Sequence, residues 1–303
     1  LMLGLSAWIL FAEETFSAVL AFIVYGLMLT LVWLQLNGID VALTEAAIGG
    51  GLTGALLIGA ASRLKGTENA ASSERPGTAL KWLAAGLSAS VTLVLAVCVL
   101  LLPDPAPTLA DHVAANIGST GVGNPITAVL LAFRAMDTLL EAIVLLFALI
   151  GVWSLAPDRF WPGRPGLKQS ADPNGVLAFA ARLLTPAGVV IGLYIFWVGA
   201  DYPGGKFQGA TILAAMWLLV MMAGLADAPA ISRRLLRSAL VLGPLVFIGV
   251  GIMGVNWAGA FLAYPAGYAK PLILTIEFAL MPSLTLILGL LLLGAPQRSE
   301  DSL

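Results

Sequence analysis

Apolar residues run along this chain in long unbroken stretches, not in the alternation of a half-buried strand, and each stretch ends at a polar or Pro/Gly-rich turn. The pattern predicts nine helical segments, at about 1–12, 16–36, 40–61, 80–102, 124–155, 176–200, 207–226, 235–256 and 270–294. A span needs about 20 apolar residues, so the first segment is short. The fifth is long, at about 48 Å if wholly helical. The fold class expected is an all-α membrane protein of about nine transmembrane helices. Two polar linkers, at 62–81 and 156–175, divide it into a three-helix segment (1–66), a two-helix segment (80–155) and a four-helix domain (176–295).

Composition agrees with the pattern. Of 303 residues, 59% are hydrophobic and 11% charged, with a mean hydropathy of +0.97. A soluble domain carries about 25% charged residues. Uninterrupted runs favour helices over a barrel. The first run, Leu1 to Ala12, has no basic leader and no small-residue cleavage site, so no cleavable signal peptide is expected. Twelve Lys and Arg residues fall in one set of loops, and only Lys206 and Lys270 in the opposite set. That asymmetry puts the C-terminus in the cytoplasm and, with nine spans, the N-terminus outside.

One cysteine and one histidine exclude a disulfide framework, a Cys/His zinc site, iron–sulfur ligation and bis-His haem, so no cofactor is expected. Cys98, within an apolar run, reads as a packing residue; His112 reads as a solvated residue in the loop 103–123. A formal charge of −2 with few surface charges gives no hold for nucleic acid.

The candidate chemistry lies inside the apolar runs. Arg134, Asp137 and Glu141 sit at i, i+3 and i+7 of the fifth segment, on one face of a continuous helix. A charge near the bilayer centre costs about 3 kcal/mol even on lenient insertion scales. Arg134 and Asp137 can pair, which leaves Glu141 as a carboxylate able to exchange protons. Asn124-Pro125 suits the start of that helix, Asn as cap and Pro in its first turn. In the third segment Asp40 lies at the mouth and Glu45 deeper, above three consecutive glycines that weaken a helix and admit a close neighbour. Glu277 is a further carboxylate within a span, followed by Pro282. No lysine is expected deep in any span, so Arg134 is read as the only deep positive charge. The run Pro203-Gly204-Gly205-Lys206-Phe207-Gln208-Gly209 reads as a tight turn or a point of backbone approach at an interface.

These motifs also carry a resemblance. Asp40-Val41-Ala42-Leu43-Thr44-Glu45-Ala46 resembles the C-terminal region of the A subunit of Mrp antiporters and the corresponding small subunit of membrane-bound hydrogenases. Phe133-Arg134-x-x-Asp137-Thr138-Leu139-x-Glu141 is similar to the next segment of that region, whose familiar form is D-F-R-x-x-D-T-L-G-E. Pro203 to Gly209 resembles the B-subunit signature P-G-G-G-F-Q-G. Ala132, Leu140 and Lys206 depart from these patterns.

The resemblance implies a subunit of an Mrp-type sodium/proton antiporter, an A-subunit tail joined to a B-type subunit, in the cell inner (plasma) membrane. The implied partners are antiporter-like large membrane subunits, other small subunits, and Na+ and/or H+. The residues it implies for ion translocation are Glu45 and Glu141, with Arg134, Asp137 and Glu277 beside them. Gly204, Gly205, Phe207, Gln208 and Gly209 form the interface or turn motif. The alternatives are a membrane-arm subunit of a redox-driven complex, a membrane-bound hydrogenase or complex I-like assembly, or a scaffold with static charges. A self-contained carrier is a further alternative, against which stands the absence of a convincing internal repeat.

Overall fold

The structure, a computed structural model, describes all residues except 13, 72–76, 162, 169–171, 173 and 300–303, and the side chains at 65 and 67–71. Its helices are α1 (Met2–Phe11), α2 (Thr15–Gln35), α3 (Ile39–Thr44), α4 (Thr53–Ala71), α5 (Thr78–Leu100), α6 (Ala110–Thr120), α7 (Pro125–Ala128), α8 (Ala135–Ser154), α9 (Val176–Val198), α10 (Lys206–Met222), α11 (Arg234–Ala258) and α12 (Ala269–Leu293). A π-helical turn, Glu45–Leu52, joins α3 to α4, and a second, Val129–Phe133, follows α7.

All nine apolar segments are helical. Seven helical stretches among the described residues are long and apolar enough to cross a membrane; α1 and α10 are shorter apolar helices. The chain is a multi-pass membrane protein. The 103–123 segment is not simply a loop, since α6 occupies most of it and carries the exposed His112. Cys98 is exposed on α5, none of whose residues is buried, so it is not a core packing residue among the described residues.

The core is built by α8, α10, α11 and α12, with Leu131, Phe247, Ile273, Ile276, Leu280 and Leu284 almost wholly enclosed. Lipid supplies no hydrophobic drive between helices, so close approach and backbone satisfaction decide the packing. Helices α9 and α10 cross at glycines: a Cβ on Gly209 would stand 2.8 Å from the Gly192 carbonyl. Helix α2 meets the first π-helical turn in the same way, a Cβ on Gly26 falling 3.2 Å from the Gly50 backbone. The three-glycine run therefore does admit a close neighbour.

Side-chain hydroxyls take up carbonyls that broken helices leave without a donor. Pro244 lies inside α11 and lacks the N–H that would bond Leu240. The buried Ser283 hydroxyl on α12 donates to that Leu240 carbonyl at 2.5 Å. Ser283→Ala is expected to cost about 1–3 kcal/mol, because a buried acceptor loses its partner where no water replaces it. A fall in the detergent thermal midpoint checks this, and a midpoint unchanged from wild type contradicts it.

On the basic-loop side, two short antiparallel strands, β1 (Arg164–Pro165) and β2 (Pro296–Arg298), tie part of the second linker to the C-terminal tail. Asp227 accepts both Arg298 Nη1 and Nη2, at 3.0 and 2.6 Å, and Arg164 stands 3.7 Å away. Hydrogen bonding from Arg298 holds the Asp227 carboxyl below its ordinary pKa.

Candidate functional site

The fifth apolar segment is not one continuous helix. Asn124 caps α7, its side chain accepting from Ile126 N at 2.8 Å with Pro125 in the first turn, as its sequence indicates. After the π-helical turn the backbone leaves helical geometry at Arg134 (φ −130°, ψ 38°), and α8 starts afresh. The Arg134 N–H bonds Val129 O at 2.7 Å, one residue beyond the α-helical partner, which frees the next carbonyls. Thr138 Oγ1 donates to Leu130 O at 2.6 Å, and Tyr264 Oη donates to Leu131 O at 2.5 Å. Both carbonyls thus regain a donor. Burial and then the charge of Glu277 push the Tyr264 phenol above its ordinary pKa, keeping it a donor.

The break separates the triad. Arg134 and Asp137 do pair, at 2.5 Å, but on the outer surface, with side chains 69% and 51% exposed. Glu141, one turn past Asp137 along α8, instead lines a cavity of about 280 Å³. The cation that the protein itself encloses is therefore Lys206, not Arg134.

Lys206 is 4% exposed and opens α10. Its sequence context points to an external loop, because it follows Pro-Gly-Gly, which normally marks a solvated turn. Here Gly204 (φ 146°) and Gly205 (φ 142°) adopt backbone conformations open to glycine, and a Cβ on Gly199 would fall 2.5 Å from the Gly205 backbone. The turn is pressed into the protein, and the residue after it points inward. Lys206 Nζ stands 3.9 Å from Glu277 Oε1 on α12, both side chains at most 4% exposed, and 5.3 Å from the Phe207 ring centroid. Glu141 also acts electrostatically on this ammonium. The only sequence signal is that lysine stands where the resembled signature has its third glycine.

The rest of the motif fastens the α9–α10 turn to distant parts of the chain. Buried Asp40 accepts Asn124 Nδ2 at 3.1 Å and Gly204 N at 3.0 Å through Oδ1. Gln208 Nε2 donates to Thr44 Oγ1 at 2.7 Å. Thr127 Oγ1 donates to Gly199 O at 2.6 Å. Nearer the surface Lys270 grips Asp201 at 2.8 and 2.9 Å, and Gly123 N adds a bond at 3.0 Å. Hydrogen bonding to Lys270 keeps the Asp201 carboxyl below its ordinary pKa. The segment is thus a turn whose Gly204 and Gln208 contact distant parts of the same chain.

Glu45 is not part of the cavity lining. It opens the first π-helical turn and its carboxylate lies against Gly49 and Gly26, on the side packed by α2. Sequence reasoning therefore finds Glu141 and Glu277 of the cavity, places Glu45 and the Arg134–Asp137 pair with them, and misses Lys206 and Asp40's anchoring role. Among the described residues, no group of three or more His, Cys, Asp or Glu is placed to hold a metal ion.

Comparison with known proteins matches both ends of the chain. Residues 1–66 match the MbhD family of MBH subunits, and residues 176–296 match a domain related to the MnhB subunit of the Na+/H+ antiporter. The chain joins an MbhD-like segment to an MnhB-related domain. Its fold resembles the Mrp complex from Dietzia sp. DQ12-45-1b, at a TM-score of 0.73 and 21% identity over 99% of this chain and 35% of that one. It also resembles a chain of the membrane-bound sulfane sulfur reductase (MBS), an archaeal respiratory membrane complex, at a TM-score of 0.54 and 24% identity over 70% of this chain and 98% of that one. A curated relative, the uncharacterized protein MJ1307 of Methanocaldococcus jannaschii, is 26% identical over 156 residues, 46% of this chain and 60% of its own length. The chain thus spans about a third of the matched Mrp chain and three-fifths of the curated relative. Asp40 in the MBH-type segment and Gly204 and Gln208 in the MnhB-related domain meet directly, so the two family regions share this site.

Proposed function

We propose that this chain is a membrane subunit of a multi-subunit Mrp-type monovalent cation/proton antiporter in the cell inner (plasma) membrane, and that Glu141, Lys206 and Glu277 form a proton-carrying step within it. The observation that carries this reading is the pair Lys206–Glu277, almost wholly buried beside a cavity that Glu141 also lines. Membrane interiors retain such ionisable groups chiefly on ion and proton pathways. The cavity has room for several waters, each taking about 30 Å³, so protons can pass between groups too far apart to bond directly. Nine spans with the N-terminus outside and the C-terminus cytoplasmic complete the proposal, divided at the linkers into segments 1–66, 80–155 and 176–295. Glu45 serves as a separate station beside α2, reached through partner subunits. The exposed Arg134–Asp137 pair faces such a partner, where protein and not lipid covers its charge.

Glu141→Gln and Glu277→Gln in the reconstituted complex are expected to reduce proton-coupled transport to background while the subunits still co-purify. Transport at the wild-type rate in both variants rejects the pathway; loss of co-purification would instead favour a scaffold. A second reading, membrane arm of a redox-driven complex, has the match to the MbhD family in its favour. Mild-detergent purification with mass spectrometry separates the two: antiporter-like large subunits alone support the antiporter, and accompanying iron–sulfur subunits support the redox arm.

A further inference from the structure

Within the cavity wall Lys206 supplies the positive charge and three carboxylates face it: Glu277 from α12, Glu141 from α8 and Asp40 from α3. Asp40 is committed to the N–H groups of Asn124 and Gly204. Tyr264, in the α11–α12 loop and within reach of the Glu277 charge, spends its proton on Leu131 O. The negative charge left for a mobile ion is therefore that of Glu277 and Glu141. Oxygen ligands of the kind small monovalent and divalent cations take are at hand, since Thr44 and Thr127 also line the space. Its volume of about 280 Å³ admits a cation with several waters.

We propose that Lys206 is a resident counter-cation: its tethered ammonium fills the position beside Glu277 and Glu141 that a sodium ion would otherwise occupy, so the cavity excludes sodium and serves protons. The assignment deepens the pathway reading above and rests on it. A second unit charge about 4 Å from the ammonium is disfavoured about a thousandfold at an effective dielectric of about 20. A glycine at 206 removes that penalty and leaves two carboxylates over a wet cavity, a site for one hard monovalent cation.

The test is equilibrium binding of 22Na+ to the purified complex containing this chain, at fixed pH and ionic strength. Lys206→Gly and Lys206→Met are expected each to gain one saturable sodium site per chain, at least about a hundredfold tighter than any in the wild type. The site should vanish when Glu277→Gln is added and should not form in Lys206→Arg, which keeps the charge. Two variants guard against misfolding of either one, with assembly checked by size-exclusion chromatography. The proposal is overturned if neither neutral variant gains a site, or if the wild type already holds a Glu277-dependent sodium ion. Because binding is read without transport, failure here is distinct from failure of the transport reading.

Discussion

Glu277→Leu alone is expected to destabilise the chain by about 3–5 kcal/mol, whereas the double variant Lys206→Met/Glu277→Leu should recover most of that loss. The magnitudes follow from where the charges sit. Both side chains are at most 4% exposed, and at 3.9 Å their attraction at an effective dielectric of about 20 is about 4 kcal/mol. Desolvating each ion costs several kcal/mol, so the intact pair roughly breaks even. Deleting one member removes the attraction but leaves the cost of the other. Replacing both with apolar groups removes cost and attraction together. Thermal unfolding of the four variants in one detergent gives the coupling energy directly. A single variant within about 1 kcal/mol of wild type would show that Lys206 and Glu277 are not a mutually dependent buried pair. Proton transport in the stable double variant adds the functional half. A scaffold role predicts that transport returns with stability, and a pathway role predicts that stability returns alone.

The chain discloses its helices readily and its site only in part, and the physical reason differs between the two. A membrane span is a local property: each apolar stretch reports its own helix, and all nine do. Motif residues whose role depends on their own element are also legible. Asn124-Pro125 caps a helix, Glu141 and Glu277 stand inside spans, and Gly49-Gly50-Gly51 lies at a close crossing. What sequence spacing cannot supply is the backbone break at Arg134. Read as an ideal helix, positions 134, 137 and 141 fall on one face, but the π-helical turn and the extra-helical backbone send Arg134 and Asp137 outward. The groups that stabilise the break, Thr138 and Tyr264, are 8 and 133 residues from the carbonyls they satisfy. Lys206 is illegible for a related reason. Its burial depends on Gly199 receiving the backbone of Gly205 and on Asp40, 164 residues away, holding Gly204. Strands of two and three residues containing proline, as in β1 and β2, lie below any periodicity a sequence can display.

That dependence makes Asp40 the second place where a single change should have a large effect. Asp40→Ala is expected to cost about 3–6 kcal/mol, because two donors, Asn124 Nδ2 and Gly204 N, together lose a charged acceptor, at about 1.5–3 kcal/mol for each such bond. Asp40→Asn keeps an oxygen in the same place and should cost less than half as much. The loss is not only local. Asn124 also bonds Gly199 O and Tyr202 O, at 3.2 and 2.9 Å, so the start of α7 and the α9–α10 turn are held together around the same carboxylate. When that anchor goes, Gly204 is released and Lys206, two residues on, loses the backbone that aims it at Glu277. Asp40→Ala should therefore lower both the thermal midpoint and proton transport, although Asp40 itself takes no proton in the proposed step. Asp40→Asn separates the two contributions: if the carboxylate only holds the turn, transport should follow stability and largely return. Transport abolished in Asp40→Asn at near wild-type stability would instead make Asp40 a member of the pathway, and Asp40→Ala within about 1 kcal/mol of wild type would remove it as the anchor.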